Sequence, residues 1–280
     1  MPLLGFGTYQ IPETAEGINA IDFAIRQGYK LVDCASFYKN EASIGKVVES
    51  HDRNTLFIVS KCWNDAVYQG PEAVRKSCLR SISDLRCGYL DLYLIHWPVP
   101  EKHLDAYREL IRLREEGFVR DIGVSNYTIE DFEQLMAAGV SVVPAVNQIE
   151  INPFLHRRHT IDYFRSKGVV PMSFRGLRNA AGFDNPVLQS VATRLNVTPA
   201  QLLGRWLVQQ GICHIPKSIN HARIMSNAQI FDFNLEESDL EALNSLMTPD
   251  SLSTFLDHYS ARIVRDTPLP LPDNLRVTVD

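Results

Sequence analysis

Short apolar runs rich in Val, Ile, Leu and Phe recur along the chain. They lie at Leu3–Gly7, Lys30–Asp33, Leu56–Ser60, Leu90–Ile95, Val119–Val124, Val142–Asn147, Val169–Ser173 and Gly211–Ile215. Most are continuous rather than alternating, the pattern of a strand covered on both faces. Between them, apolar positions repeat every three or four residues. Ala15–Gln27 arranges Ile18, Ile21, Phe23 and Ile25 as an amphipathic helix that stops at Gly28, a C-cap signal. Pro71–Leu85 carries Val74, Cys78, Leu79, Ile82 and Leu85, with proline where the first turn tolerates it. His103–Glu116 and Thr128–Ala138 follow the same period, and Thr128 with Asp131 resembles a capping pair. Thr198–Gln209 opens Thr-Pro, an N-cap followed by an N1 proline.

Eight strands alternating with helices predict βαβ units on a parallel sheet. The sheet is then either an open doubly wound one or a closed barrel. An open sheet would carry a Gly-rich dinucleotide turn after its first strand. Gly5-Phe6-Gly7 begins such a turn, but Gln10 stands where the third glycine belongs. Eight units favour a single-domain (β/α)8 TIM barrel over residues 1–248. No linker divides it, and a Pro-rich, less periodic tail follows over residues 249–280.

Composition narrows the function classes. A length of 280 residues with 45% hydrophobic positions suffices for a large core. The net charge of −5 offers nothing to nucleic acid or to an anionic membrane. The five cysteines are odd in number and form no CxxC pair, which argues against a disulfide framework and against zinc. No window of 18 apolar residues and no basic leader are present. A cytoplasmic protein is therefore expected. No segment advertises an obligate interface, so a monomer is expected too.

On a (β/α)8 barrel the chemistry sits at the C-terminal ends of the strands. Six of the eight runs stop there at polar groups: Asp33, with Tyr38 five residues on; Lys61; His96; Ser125-Asn126; Asn147-Gln148; and Lys217-Ser218. Each alone has a structural reading, such as a loop acid, a snorkelling lysine or a satisfied core histidine. In register they converge on one cavity. Free tyrosine, with a pKa near ~10, is a poor acid–base group at neutral pH. A nearby ammonium lowers that value, and a buried ammonium needs a carboxylate. His96 can orient a carbonyl oxygen. The set suits protonation of an oxygen while a hydride reaches the carbon. A metal-dependent hydrolase would need several His and Asp ligands at strand ends; only His96 and Asp33 are available, so no metal is expected.

Several motifs resemble those of the aldo-keto reductase family. They are Leu4-Gly5-Phe6-Gly7-Thr8-Tyr9, the run from Gly28 through Asp33 and Tyr38 to Glu41, and Ser60-Lys61-Cys62-Trp63-Asn64. Further on come Asp91 to Pro98, Ile122 to Tyr127, Val146 to Glu150, and Ile215-Pro216-Lys217-Ser218 followed by Arg223 and Asn227. The resemblance implies an NADPH-dependent barrel that reduces aldehydes and ketones. It implies a catalytic set of Asp33, Tyr38, Lys61 and His96, with Tyr38 the proton donor. Ser125, Asn126 and Gln148 would hold the nicotinamide carboxamide, and Phe174 would stack on the ring. Lys217, Ser218 and Arg223 would take the adenosine 2′-phosphate. Asn227, Thr8 and Leu177 would be further cofactor contacts, and Tyr9, Trp63 and Trp97 the aromatic walls of the substrate pocket. The resemblance also implies that residues 249–280 pack near the pocket mouth.

This chain departs from the family pattern where Ser173-Phe174-Arg175-Gly176-Leu177 replaces the usual Tyr-Ser-Pro-Leu. Arg175 then either reaches a cofactor phosphate or reshapes the loop. Ser226 stands where many members have glutamate, and Asn152 where histidine is frequent.

Overall fold

The computed structural model describes residues 1–250 and Ser253. The 249–280 tail, expected near the pocket mouth, lies almost wholly outside the described residues. The strands are β1 (Gly5–Gly7), β2 (Leu31–Asp33), β3 (Phe57–Cys62), β4 (Leu90–Ile95), β5 (Val119–Ser125), β6 (Val146–Glu150), β7 (Val170–Phe174) and β8 (Cys213–His214). The helices are α1 (Ala15–Arg26), α2 (Glu41–Val48), α3 (Asn64–Gln69), α4 (Pro71–Asp84), α5 (His103–Glu115), α6 (Ile129–Ala137), α7 (Arg158–Ser166), α8 (Pro186–Leu195), α9 (Pro199–Gln209), α10 (His221–Ala228) and α11 (Glu237–Asn244). Each strand pairs in parallel with the next. A parallel bridge between Leu4 and His214 joins the last strand to the first. The eight-unit reading is thus a (β/α)8 barrel. No helix among the described residues is long and apolar enough to cross a membrane.

The local signals act as expected. Gly28, at φ +95, turns the chain from α1 into β2. Thr128 and Asp131 form a reciprocal capping box on α6, as Thr198 and Gln201 do on α9. One strand is displaced from its sequence reading: the sixth was expected at Val142–Asn147 and lies at Val146–Glu150. Pro144 lacks the N–H a central strand needs, so the valines before it form the approach to the barrel, where Val143 is exposed. The shift draws the polar Gln148 and Glu150 into the ladder itself. The eighth strand is shorter than its apolar run.

The barrel interior is filled by Leu31, Val59, Leu92, Leu94, Val146, Met172, Cys213 and Ile215. Gly123 belongs to this layer for lack of space: a Cβ there would stand 2.6 Å from the Val146 carbonyl oxygen. Between sheet and helices lie two further apolar layers, one reaching from α1 to α6 and one around Trp206. These layers hold the strand ends rigidly, the condition for placing reactive side chains within tenths of an ångström.

Of the buried histidines, His103 and His214 are the most fully enclosed. Burial pushes His214 on β8 down to about 3 and His103 on α5 down to about 4, from an ordinary 6.5. The unfolded chain binds protons at these rings before the folded one does. Their stabilising contribution is therefore complete above pH ~6.5 and is lost as pH falls through that value towards their folded values, by up to about 1.4 kcal/mol per pH unit for each ring. The His214 ring is packed between Gly176 and Gly204. His214→Phe is expected to flatten the fall in urea-unfolding free energy between about pH 7 and about pH 5. An unchanged slope would contradict the assignment.

Candidate active site

Lys61 extends from β3 into the top of the barrel and is fully buried. Its Nζ donates to Asp33 Oδ1 and Oδ2, each at 2.8 Å, and to the Cys34 carbonyl at 2.8 Å. It also donates to the Tyr38 hydroxyl at 3.2 Å. Burial disfavours the Lys61 ammonium, but Asp33 and Tyr38 outweigh it and hold its pKa above the ordinary lysine value. Lys61 is therefore a permanent cation beneath the Tyr38 oxygen.

The tyrosine itself corrects a sequence expectation. Lys61 does pull its pKa down, yet burial pushes the Tyr38 hydroxyl up to about 12. The cause is that Lys61 is already neutralised by Asp33, whose own charge opposes ionisation of the phenol. What remains of the ammonium field does not repay removal of a phenolate from water. Tyr38 is thus firmly protonated at neutral pH, the form a proton donor requires.

Tyr38 closes a short 3-10 turn, Ser36–Tyr38, between β2 and α2. Glu41, at the start of α2, pins this turn from behind by accepting from Ser60 Oγ at 2.5 Å and Ser81 Oγ at 2.8 Å. Ser60 is the neighbour of Lys61 on β3, so one buried carboxylate ties the tyrosine turn to the lysine strand. His96 follows β4, with its backbone N–H donating to the Cys62 carbonyl at 3.0 Å. Its ring stands edge-on to Tyr38 at 5.9 Å and to Trp63 at 4.8 Å. Tyr9 lies 5.0 Å from Tyr38, ring to ring, and is the exposed lip of the site. Trp97, beside His96, is buried. Sequence reading missed Phe37, which stacks on Trp63 at 3.8 Å and extends the aromatic wall. Its one signal was adjacency to Tyr38.

Ser125, Asn126 and Gln148 form a connected group beside this set. Ser125 Oγ donates to the Gln148 carbonyl at 2.8 Å, and the Asn126 backbone N–H donates to the same oxygen at 2.9 Å. Asn126 Nδ2 donates to Ser125 Oγ at 3.1 Å and to the His96 carbonyl at 3.0 Å. Asn126 sits at φ +61, a conformation asparagine tolerates better than most residues. Gln148 Nε2 donates to Asp33 Oδ1 at 2.8 Å, joining this group to the carboxylate. Thr8 Oγ1 donates to the Asp33 carbonyl at 2.8 Å, securing the end of β2.

The remaining predicted residues form the rim. Phe174 ends β7 and packs against the barrel interior, and Leu177 packs against the layer around Trp206. Arg175, at φ +52, places Nη1 3.5 Å from Glu150 Oε2. Burial pushes the Glu150 carboxyl up, and the charges of Arg175, Arg178 and Arg157 oppose that. Glu150 thus anchors the loop after β7, a role without a sequence signal beyond its place at the end of β6. Lys217, Ser218, Arg223 and Asn227 lie apart, after β8 and on α10. The Gly7 N–H donates to the Pro216 carbonyl at 3.0 Å, which draws the Lys217 loop over the end of β1. Asn220 caps α10 by accepting from the Arg223 N–H at 3.0 Å. Lys217 and Arg223 are exposed and make no ion pair among the described residues.

The barrel thus gathers a buried lysine–carboxylate–phenol set, an adjacent imidazole and an aromatic lip at one end. The aldo/keto reductase family model matches residues 3–248. A glyoxal reductase of Bacillus subtilis is 37% identical over 248 residues, covering 88% of this chain and 89% of the relative. A methylglyoxal reductase, DkgA, of Yersinia pestis is 37% identical over 254 residues, with 88% and 89% covered. The solved structure of the aldose reductase from Schistosoma japonicum superposes with a TM-score of 0.83 at 34% identity, covering 91% of this chain and 93% of that one. The chain belongs to the aldo/keto reductase family.

Proposed function

We propose that the protein is an NADPH-dependent reductase of small aldehydes and ketones. The observation that carries this reading is the Lys61 ammonium held by both oxygens of Asp33 and set 3.2 Å from the Tyr38 hydroxyl. Bound NADPH supplies the hydride. Tyr38 gives its proton to the carbonyl oxygen as negative charge grows there. Lys61 beneath it stabilises the phenolate left behind, and Asp33 keeps Lys61 charged. His96 orients the carbonyl from the side by hydrogen bonding. Because Lys61 and Asp33 are buried and already in place, no reorganisation is needed at the moment of transfer.

The residues fit the cofactor. Ser125, Asn126 and Gln148 offer donors and acceptors suited to the carboxamide, and Phe174, at the end of β7, would cover one face of the ring. Thr8, Arg175 and Leu177 would be further contacts of the cofactor. Lys217, Ser218 and Arg223 present two cations and a hydroxyl at the N-terminus of α10, where a phosphate is favoured, and Asn227 lies one turn beyond Arg223. Tyr9, Trp63 and Trp97 offer apolar walls, which suit uncharged carbonyl compounds. The glyoxal and methylglyoxal reductases among the relatives support small dicarbonyls as substrates.

The direct test mixes the protein with NADPH and either an aromatic aldehyde or glyoxal and follows cofactor absorbance. Oxidation of NADPH, unaffected by a chelator, is expected; no oxidation with any of a panel of carbonyls would sink the reading. Arg223→Ala is expected to weaken NADPH about tenfold or more, the worth of a charged hydrogen bond, with little change for NADH. Equal weakening of both would refute the 2′-phosphate assignment.

A further inference from the structure

Gln148 lies in the middle of β6, buried, in register with Ser125 on one side and Met172 on the other. Its Nε2 is 2.8 Å from Asp33 Oδ1, the same oxygen that accepts from Lys61. The amide orientation follows from the chemistry. An ionised carboxylate only accepts, so the amide N–H faces Asp33, and the reverse orientation would set two oxygens against each other with no proton between them. The second amide hydrogen faces the Met172 sulfur. Gln148 Nε2 is therefore committed, and Oε1 is the atom left to meet an N–H donor.

We propose that Gln148 is a positioning residue for proton transfer: its amide fixes the Asp33 carboxylate, and through it the Lys61 ammonium, under Tyr38. The inference rests on Asp33, Lys61 and Tyr38 being the proton-transfer groups. A carboxylate held by Lys61 alone would be free to rotate about its terminal torsion. With Gln148 on Oδ1 the carboxylate plane is set, and Lys61 can meet both oxygens while still reaching Tyr38. The same side chain then offers Oε1 to the carboxamide of NADPH. One residue thus links the seat of the nicotinamide to the group that tunes the acid. Asp33 from β2 and Lys61 from β3 face this point, with Tyr38 beyond Lys61. The thiols of Cys34 and Cys213 are also near; burial pushes both upward, and they stay uncharged.

Two variants test this. Gln148→Met keeps the length and removes the donor. Gln148→Glu restores a donor only while its new carboxyl is protonated. In the cofactor-free protein that carboxyl, beside Asp33, has its folded pKa raised. Its stabilising contribution is present below the ordinary glutamate value of ~4.3 and is lost as pH rises through the raised value. The Tm of Gln148→Glu relative to wild type is expected to fall between about pH 5 and about pH 8, while the offset of Gln148→Met stays constant. A pH-independent offset for Gln148→Glu would overturn the contact.

The second arm is single-turnover reduction at saturating NADPH. Gln148→Met is expected to be slower by about tenfold or more, as for loss of a hydrogen bond to a charged group. Gln148→Glu should be slow at about pH 8 and recover towards wild type at about pH 5, where its carboxyl regains the proton. If Gln148→Met changes only the affinity for NADPH and leaves the saturated rate intact, Gln148 holds the cofactor alone and the proposal falls. Should wild type itself fail to oxidise NADPH, the reductase reading falls and takes this one with it. Normal wild-type turnover with unaffected variants sinks only the role of Gln148.

Discussion

Tyr38→Phe is expected to abolish carbonyl reduction while NADPH still binds. The substitution removes one oxygen and keeps the ring that packs beside Tyr9 and His96. General acid catalysis contributes on the order of 10²- to 10⁴-fold, and the phenylalanine ring has no proton to give. Lys61 Nζ is already engaged by Asp33, the Cys34 carbonyl and the Tyr38 hydroxyl. The raised Tyr38 pKa, about 12, adds a pH signature. Reduction uses the protonated phenol, so its rate should be flat through neutral and mildly alkaline pH. Alcohol oxidation needs the phenolate and should climb steadily with pH over the same range. Steady-state rates in both directions, with cofactor affinity from fluorescence titration, check both points. A Tyr38→Phe protein that keeps most of its activity, or a reduction rate with an inflection near neutrality in the wild type, would contradict the proton-donor assignment.

Lys61→Met is expected to lose both activity and stability. Lys61 is fully buried and Asp33 nearly so. Removing the cation leaves a carboxylate in the barrel mouth with Gln148 as its side-chain donor and no counter-charge. Breaking a buried pair from one side costs about 3–5 kcal/mol, because the orphaned charge keeps its desolvation penalty. The double variant Asp33→Asn/Lys61→Met removes both charges and is expected to recover most of that stability but none of the activity. The phenolate formed on Tyr38 would still lack its cation. Urea unfolding and NADPH turnover, measured on the single and double variants, separate the two effects. A single variant as stable as wild type would mean that the pair is solvated in solution. An active double variant would remove Lys61 from the mechanism.

Much of this was legible in the chain. Continuous apolar runs and amphipathic segments mark buried parallel strands and covering helices because burial and backbone pairing are local demands, repeated at every unit. The capping boxes at Thr128 and Thr198 are local for the same reason. The identities at the strand ends were legible too, since a lysine, a carboxylate and a histidine that each terminate an apolar run call for a common explanation. Less visible were elements whose core contact is brief. In α7 only Thr160, Ile161 and Phe164 are buried, so its polar sequence looks like a loop. The Val142–Asn147 run looked like a strand because it is apolar, and only the pairing of Val146 with Val170 on β7 decides where β6 begins.

The sequence by itself determined the order of elements, the eightfold repeat, and which reactive side chains stand at which strand end. The tertiary structure alone decided how those side chains compete. It showed that burial outweighs Lys61 at the Tyr38 hydroxyl, that Glu41 at the head of α2 accepts from Ser60 on β3, and that Gln148 reaches Asp33 across 115 positions of chain. The reason is the range of the forces. Secondary structure is written by neighbours a few residues apart, whereas desolvation and hydrogen bonding between distant strands depend on which groups closure of the barrel brings together.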